Sequence, residues 1–130
     1  MFFKDAPWAN DELHDFAAGV GAFLDREVLP HRETFIRNGC VSKDVWRRAG
    51  ENGLLGISTP EDYGGLGGGF AHEAVSFAEL GLRNEVGLGL QVHSIVTHYI
   101  LAYGDEEQKE QWLPRLASGE LIGAICMTEP

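Results

Sequence analysis

The chain has 130 residues, 44% of them hydrophobic and 23% charged, which excludes the disordered and fibrous classes and suffices for one domain with its own core. Ten Lys+Arg against twenty Asp+Glu give a net charge of -10, so a polyanion is repelled on approach and nucleic acid is not an expected partner. Cys40 and Cys126 lie far apart with no CxxC pairing, which indicates neither a zinc site nor a disulfide framework and fits a reducing compartment. The N-terminus, Met1-Phe2-Phe3-Lys4-Asp5, turns acidic at once and lacks the marks of a signal or transit peptide. No apolar run approaches the roughly 18 residues that span a bilayer. A soluble, cytoplasmic protein is expected.

Apolar residues recur at helical steps from Asp11 to Leu29 (Leu13, Phe16, Ala17, Val20, Phe23, Leu24, Val28), with Asn10 as a cap and Pro30 as a stop. After the polar stretch around Arg37-Asn38-Gly39, Ser42 caps a shorter helix carrying Val45, Trp46 and Ala49, which Gly50 and Gly53 end. Ser58 to Gly69 is rich in proline and glycine and reads as turns. Ala71, Ala74, Val75, Ala78 and Leu82 mark a third amphipathic helix. A fourth, predicted to be largely buried, runs through Leu88, Val92, Ile95, Val96, Tyr99, Ile100 and Tyr103. Asp105 with Gln108 three residues on is a capping-box pattern starting a fifth helix, which runs to about Ala117 through Pro114. Leu121 to Met127 changes to a short apolar run that is expected to be extended and buried. The fold class that follows is all-α, an up-and-down bundle of about five helices ending in a short extended segment.

The glycine cluster is not a dinucleotide loop: Phe70 stands where the last glycine of GxGxxG belongs, no strand enters it, and no Gly-Lys-Ser/Thr triplet exists. A structural turn is favoured there. His93 and His98 share one predicted helix, but a five-residue separation puts them about 140° apart around it, so hydrogen-bonded or solvated histidines are favoured over shared metal ligands. Glu106, Glu107 and Glu110 read as a hydrated helix start. The terminal Thr128-Glu129-Pro130 puts a hydroxyl and backbone donors at the edge of an apolar run, which suits a planar heteroaromatic ligand; on local chemistry alone, a strand followed by a proline turn is the favoured reading.

Four segments in this order resemble the N-terminal part of the acyl-CoA dehydrogenase family. They are Trp46-Arg47-Arg48-Ala49-Gly50-Glu51-Asn52-Gly53-Leu54-Leu55-Gly56, then Pro60-Glu61-Asp62-Tyr63-Gly64-Gly65, then Gly104-Asp105-Glu106-Glu107-Gln108-Lys109 with Trp112-Leu113-Pro114, and Gly119-Glu120 through Met127-Thr128-Glu129-Pro130. Gln91-Val92-His93-Ser94 is similar to the long-chain branch.

The resemblance implies an oxidoreductase of fatty acid β-oxidation. It would use FAD to introduce an α,β double bond into a fatty acyl-CoA thioester and pass electrons to an electron-transferring flavoprotein. A carboxylate takes the α proton and the flavin takes a hydride from the β carbon. Carried over by position, Thr128 matches the threonine that hydrogen-bonds the flavin ring, and Ile125 and Met127 match residues lining it. Leu90, Gln91, Ser94 and Ile95 are candidates for the acyl-tail pocket, and equally for core packing. The family continues past Thr-Glu-Pro into a β domain and a C-terminal helical domain holding the catalytic glutamate; no carboxylate here matches that base, so no catalytic residue and no metal ligand is assigned. Residues 1–120 are then the helical domain and 121–130 the start of the flavin-contacting segment. A tetramer is the assembly the family implies, and the 130 residues alone are expected to be inactive. Two alternatives stand beside this: a helical module binding acyl chains or a partner without catalysis, and an acyl-CoA oxidase or flavin monooxygenase of the same superfamily. An exposed apolar face is expected on the third to fifth predicted helices.

Overall fold

In the computed structural model, which describes residue 3 and residues 5–128, the Asn10 side-chain oxygen accepts from the Leu13 amide at 2.9 Å and starts helix α1 (Asp11–Phe23). The predicted helix does not simply stop at Pro30. It widens to π spacing over Leu24–Val28 and tightens to a 3-10 turn at Leu29–His31. A short helix, α2 (Arg32–Asn38), then follows where only a polar stretch was expected. Pro30 is accommodated because it stands in the first turn of the new piece, where an amide hydrogen has no helical partner to lose. Gly39, at φ 70°, ends α2, with its own amide donating to Ile36 and that of Cys40 to Phe35.

Ser42 caps α3 (Lys43–Glu51) by accepting from the Val45 amide, and Gly53 ends it at φ 74°. The stretch from 58 to 69 is a set of packed turns: the Leu66, Gly67 and Gly68 amides donate to Gly56, Thr59 and Ile57. A side chain at Gly65 has no room, since its Cβ would lie 2.1 Å from the Thr59 carbonyl oxygen. Helices α4 (Phe70–Leu82), α5 (Leu90–Tyr103) and α6 (Glu106–Ala117) complete the bundle. At the start of α6, Gln108 N–H donates to Asp105 Oδ1 at 2.8 Å and Asp105 N–H to Gln108 Oε1 at 3.0 Å, the reciprocal cap expected there.

Six α-helices and no strand are present among the described residues, an all-α up-and-down bundle. Among the described residues, no helix is long and apolar enough to cross a membrane. Val20, Phe23, Leu24 and Val28 form the core with Val45, Trp46 and Ala49 of α3, Leu54, Leu55, and Leu80, Leu88 and Leu90 near the α4–α5 connection. A smaller cluster, Leu13, Ala17 and Val75, lies between α1 and α4.

Two expected faces are corrected. Of the stripe expected on α4, Val75 is buried, Ala71, Ala74 and Ala78 are half-buried and Leu82 is 56% exposed, while Glu73, Ser76, Glu79 and Leu80 also point inward. The inward carboxylates are tolerated because each has donors waiting. Helix α5 is not largely buried. Only Leu90, His93 and Thr97 are, while Val92, Ile95, Tyr99 and Tyr103 face outward. An apolar helix was expected to be enclosed, but here the polar His93 and Thr97 hold the inner face through satisfied hydrogen bonds. Phe70, Leu82 and Trp112 are likewise exposed, so α4, α5 and α6 each carry exposed apolar side chains.

Candidate functional site

The α4–α5 connection is fixed by charge. Arg32, on α2, donates to the Glu85 carboxylate at 3.3 Å and to the Arg83 carbonyl at 2.6 Å, while the other Glu85 oxygen accepts from the amides of Gly87 and Leu88. Arg83 spans Asp25 with two hydrogen bonds, 2.6 and 3.0 Å, and reaches Glu79 at 2.6 Å. The Arg83 guanidinium holds the Asp25 carboxyl below its ordinary range. These clamps set where α5 begins, and with it the four candidate tail residues.

On α5, Leu90 is buried in the core cluster and Gln91 is exposed. Ser94 Oγ donates to Glu73 Oε1 at 2.9 Å, and Ile95 is 43% exposed. His98 Nε2 lies 3.0 Å from both oxygens of the same Glu73 carboxylate. The structure thus gathers Ser94, His98 and Glu73 between α4 and α5, leaves Gln91 and Ile95 on the outer face, and uses Leu90 in packing.

Sequence reasoning missed Glu73. The available signal was its spacing, since Glu73, Ser76, Glu79 and Leu80 recur at three, three and one along α4.

The other histidine of α5 faces the opposite way. His93 is 1% exposed, its ring centroid 5.5 Å from that of Trp46. Its Nε2 lies 3.2 Å from the Leu116 carbonyl oxygen and its Nδ1 3.1 Å from the Gly123 amide nitrogen. A carbonyl takes only a donor and an amide N–H only an acceptor, so the ring is the neutral Nε2–H tautomer. Burial pushes its pKa below the ordinary value, with the Leu116 hydrogen bond opposing. His93 and His98 therefore serve separate partners.

Past α6 the chain is drawn back onto α3 and α5. Gly119, at φ 74°, sits where a Cβ would be 2.5 Å from the Trp46 carbonyl oxygen, and the Leu121 amide donates to the Arg115 carbonyl at 3.0 Å. The segment that follows departs from expectation. Leu121, Gly123 and Ile125 are half-buried, whereas Ile122, Ala124, Cys126, Met127 and Thr128 are exposed, Met127 at 81%. An isolated segment has one face to bury and no neighbouring strand to cover the other. From Ala124 to Thr128 no backbone group has a hydrogen bond among the described residues. Ile125, Met127 and Thr128 thus lie on one accessible stretch. Glu129 and Pro130 lie outside the described residues. Both cysteines are free and exposed.

The model of the acyl-CoA dehydrogenase N-terminal domain matches residues 10–120. The chain belongs to the acyl-CoA dehydrogenase family. Over 119 residues, the chain is 44% identical to the mitochondrial long-chain specific acyl-CoA dehydrogenase of Rattus norvegicus, a match covering 90% of the chain and 28% of the rat protein. A crystal structure of acyl-CoA dehydrogenase from Geobacillus kaustophilus superposes with a TM-score of 0.89 at 41% identity, covering 96% of this chain and 33% of that one. Another, from Bacillus anthracis and complexed with FAD, gives a TM-score of 0.77 at 32% identity, covering 96% of this chain and 22% of that one. The chain thus spans about a third or less of the relatives it matches.

Proposed function

We propose that residues 1–120 are the N-terminal helical domain, and residues 121–130 the start of the flavin-contacting segment, of an FAD-dependent enzyme that dehydrogenates fatty acyl-CoA thioesters between their α and β carbons. The observation that carries this is the likeness of the whole helical chain to solved acyl-CoA dehydrogenases.

Support for the cofactor comes from the segment itself. An exposed Met127, a half-buried Ile125, the Thr128 hydroxyl and unpaired backbone groups over 124–128 suit a planar ring that needs apolar contact and a few hydrogen bonds. When bound, FAD supplies the acceptor for the hydride of the β carbon. Thr128 then offers its hydroxyl to the ring, and Ile125 and Met127 flank it. Gln91 and Ile95 line the acyl tail from the outer face of α5, with Leu90 and Ser94 shaping that wall from beneath. No carboxylate of this chain is assigned as the base that takes the α proton, so the 130 residues alone are expected to be inactive. The electrons pass on to an electron-transferring flavoprotein, and the enzyme assembles as a multimer.

The test uses the full-length native protein. A flavin absorption band that bleaches when saturated acyl-CoAs are added without oxygen supports the assignment, and the chain length that bleaches it fastest identifies the substrate class. A protein that neither carries nor takes up flavin, or whose flavin no acyl-CoA reduces, overturns it. Oxygen consumption during turnover would instead indicate an oxidase.

A further inference from the structure

We propose that His93 is a positioning residue for the flavin-contacting segment: by accepting the Gly123 amide at Nδ1 it fixes the point from which residues 124–128 leave the bundle. The inference rests on the flavin assignment above.

Gly123 is the last residue before the open stretch with a hydrogen bond to the helical bundle among the described residues. Ile125 follows two residues later, Met127 four and Thr128 five. Each residue extends the chain by at most about 3.5 Å, so the Gly123 anchor sets the region that the ring-contacting residues can reach. Glycine is needed there because a Cβ at 123 would lie 2.9 Å from the Val96 Cβ, one turn along α5 from His93. Close approach and hydrogen bond together define one position for this backbone.

The histidine ring is itself held from two further sides: Nε2–H donates to the Leu116 carbonyl at the end of α6, and the ring lies against Trp46 of α3. The only ring atom left to accept is Nδ1, and it points at Gly123. The link therefore transmits the register of α3, α5 and α6 to the segment.

A buried histidine that merely adds stability would behave differently from one that positions. In His93→Asn the amide oxygen takes the place of Nδ1 and keeps the Gly123 acceptor while losing the Leu116 donor. In His93→Gln the amide nitrogen takes the place of Nε2, with the opposite result. Both variants lose one hydrogen bond, so their melting temperatures should fall by similar amounts. Flavin affinity should split: in full-length protein stripped of flavin and titrated with FAD, the Gln variant is expected to bind about tenfold more weakly, and the Asn variant within about threefold of the parent.

Equal flavin affinity in the two variants, or weaker binding by Asn than by Gln, overturns the inference. Should neither variant fold, amide hydrogen exchange on the unmutated full-length protein is the test. Protection at Gly123 with fast exchange at Ala124 supports the anchor, and equal exchange at both overturns it. A parent protein that takes up no FAD overturns the flavin assignment instead, and the inference with it.

Discussion

The Gly123 amide donates to Nδ1 of His93 across thirty residues of chain, at 3.1 Å, and this contact makes the protein's stability depend on a proton. An imidazolium has no acceptor, so protonation removes the bond and sets two N–H groups face to face. The folded-state pKa lies below the ordinary value of 6.5 because the ring is buried. The folded state therefore binds this proton less readily than the unfolded chain does. The stability from the neutral ring is complete above about pH 6.5 and declines as pH falls through that value toward the lower folded pKa. Urea unfolding midpoints measured from pH 8 down to pH 5 should fall more steeply for the parent than for His93→Asn; parallel curves would refute the linkage.

Arg83 joins the end of α4 to the π segment through Asp25 and to its own helix through Glu79. Glu79 is 8% exposed, so removing the guanidinium strands a carboxylate with little water to solvate it. Arg83→Met is expected to cost about 2 kcal/mol. Asp25→Asn, at an exposed site, should cost clearly less. Chemical denaturation of the two variants checks the order, and a larger loss for Asp25→Asn would mean the outer bond dominates.

Helix starts were legible in the sequence because a cap bond reaches only three residues along the chain, as at Asn10, Ser42 and Asp105. What stayed hidden depends on partners far away. Helix α2 carries Arg32, which is tied to Glu85 and the Arg83 carbonyl more than fifty positions on. Its own residues give only two turns and no apolar stripe. The orientation of α5 was hidden for a different reason. Apolar residues lie on several sides of it, and only the Leu116 and Gly123 contacts of His93 reveal which side faces in. For the candidate site, the segment holding Ile125, Met127 and Thr128 was legible as a unit, but its exposure was not, since a short apolar run reads the same buried or open.

The Glu73 carboxylate accepts from Ser94 at 2.9 Å and lies against His98 on the same α5 face, so the two neighbours should be energetically coupled. Ser94→Ala and His98→Ala each leave the buried carboxylate one partner, and each is expected to cost about 1 kcal/mol; together they leave it none. The double variant should then lose about 1 kcal/mol more than the sum of the singles. A double-mutant cycle by urea denaturation measures this directly. Additive losses would show that solvent, not the second residue, takes over when one is removed.

Two glycines give a paired test of where backbone permissiveness is needed. Gly19 lies within α1, exposed, and a Cβ there meets nothing within 4 Å. Gly19→Ala should stabilise the protein by about 0.5–1 kcal/mol, because alanine gives up less chain entropy on entering a helix. Gly65 is the opposite case: its Cβ would fall 2.1 Å from a backbone oxygen of Thr59 and 2.4 Å from the Thr59 Cβ. Thr59 is 1% exposed, so it cannot swing aside, and relief requires moving the turn that receives the Gly67 amide at 2.8 Å. Gly65→Ala is expected to cost about 3 kcal/mol. Thermal melts of the two variants beside the parent should bracket it from above and below, and a Gly65→Ala melt within a degree of the parent would show that the loop is far softer than its packing indicates.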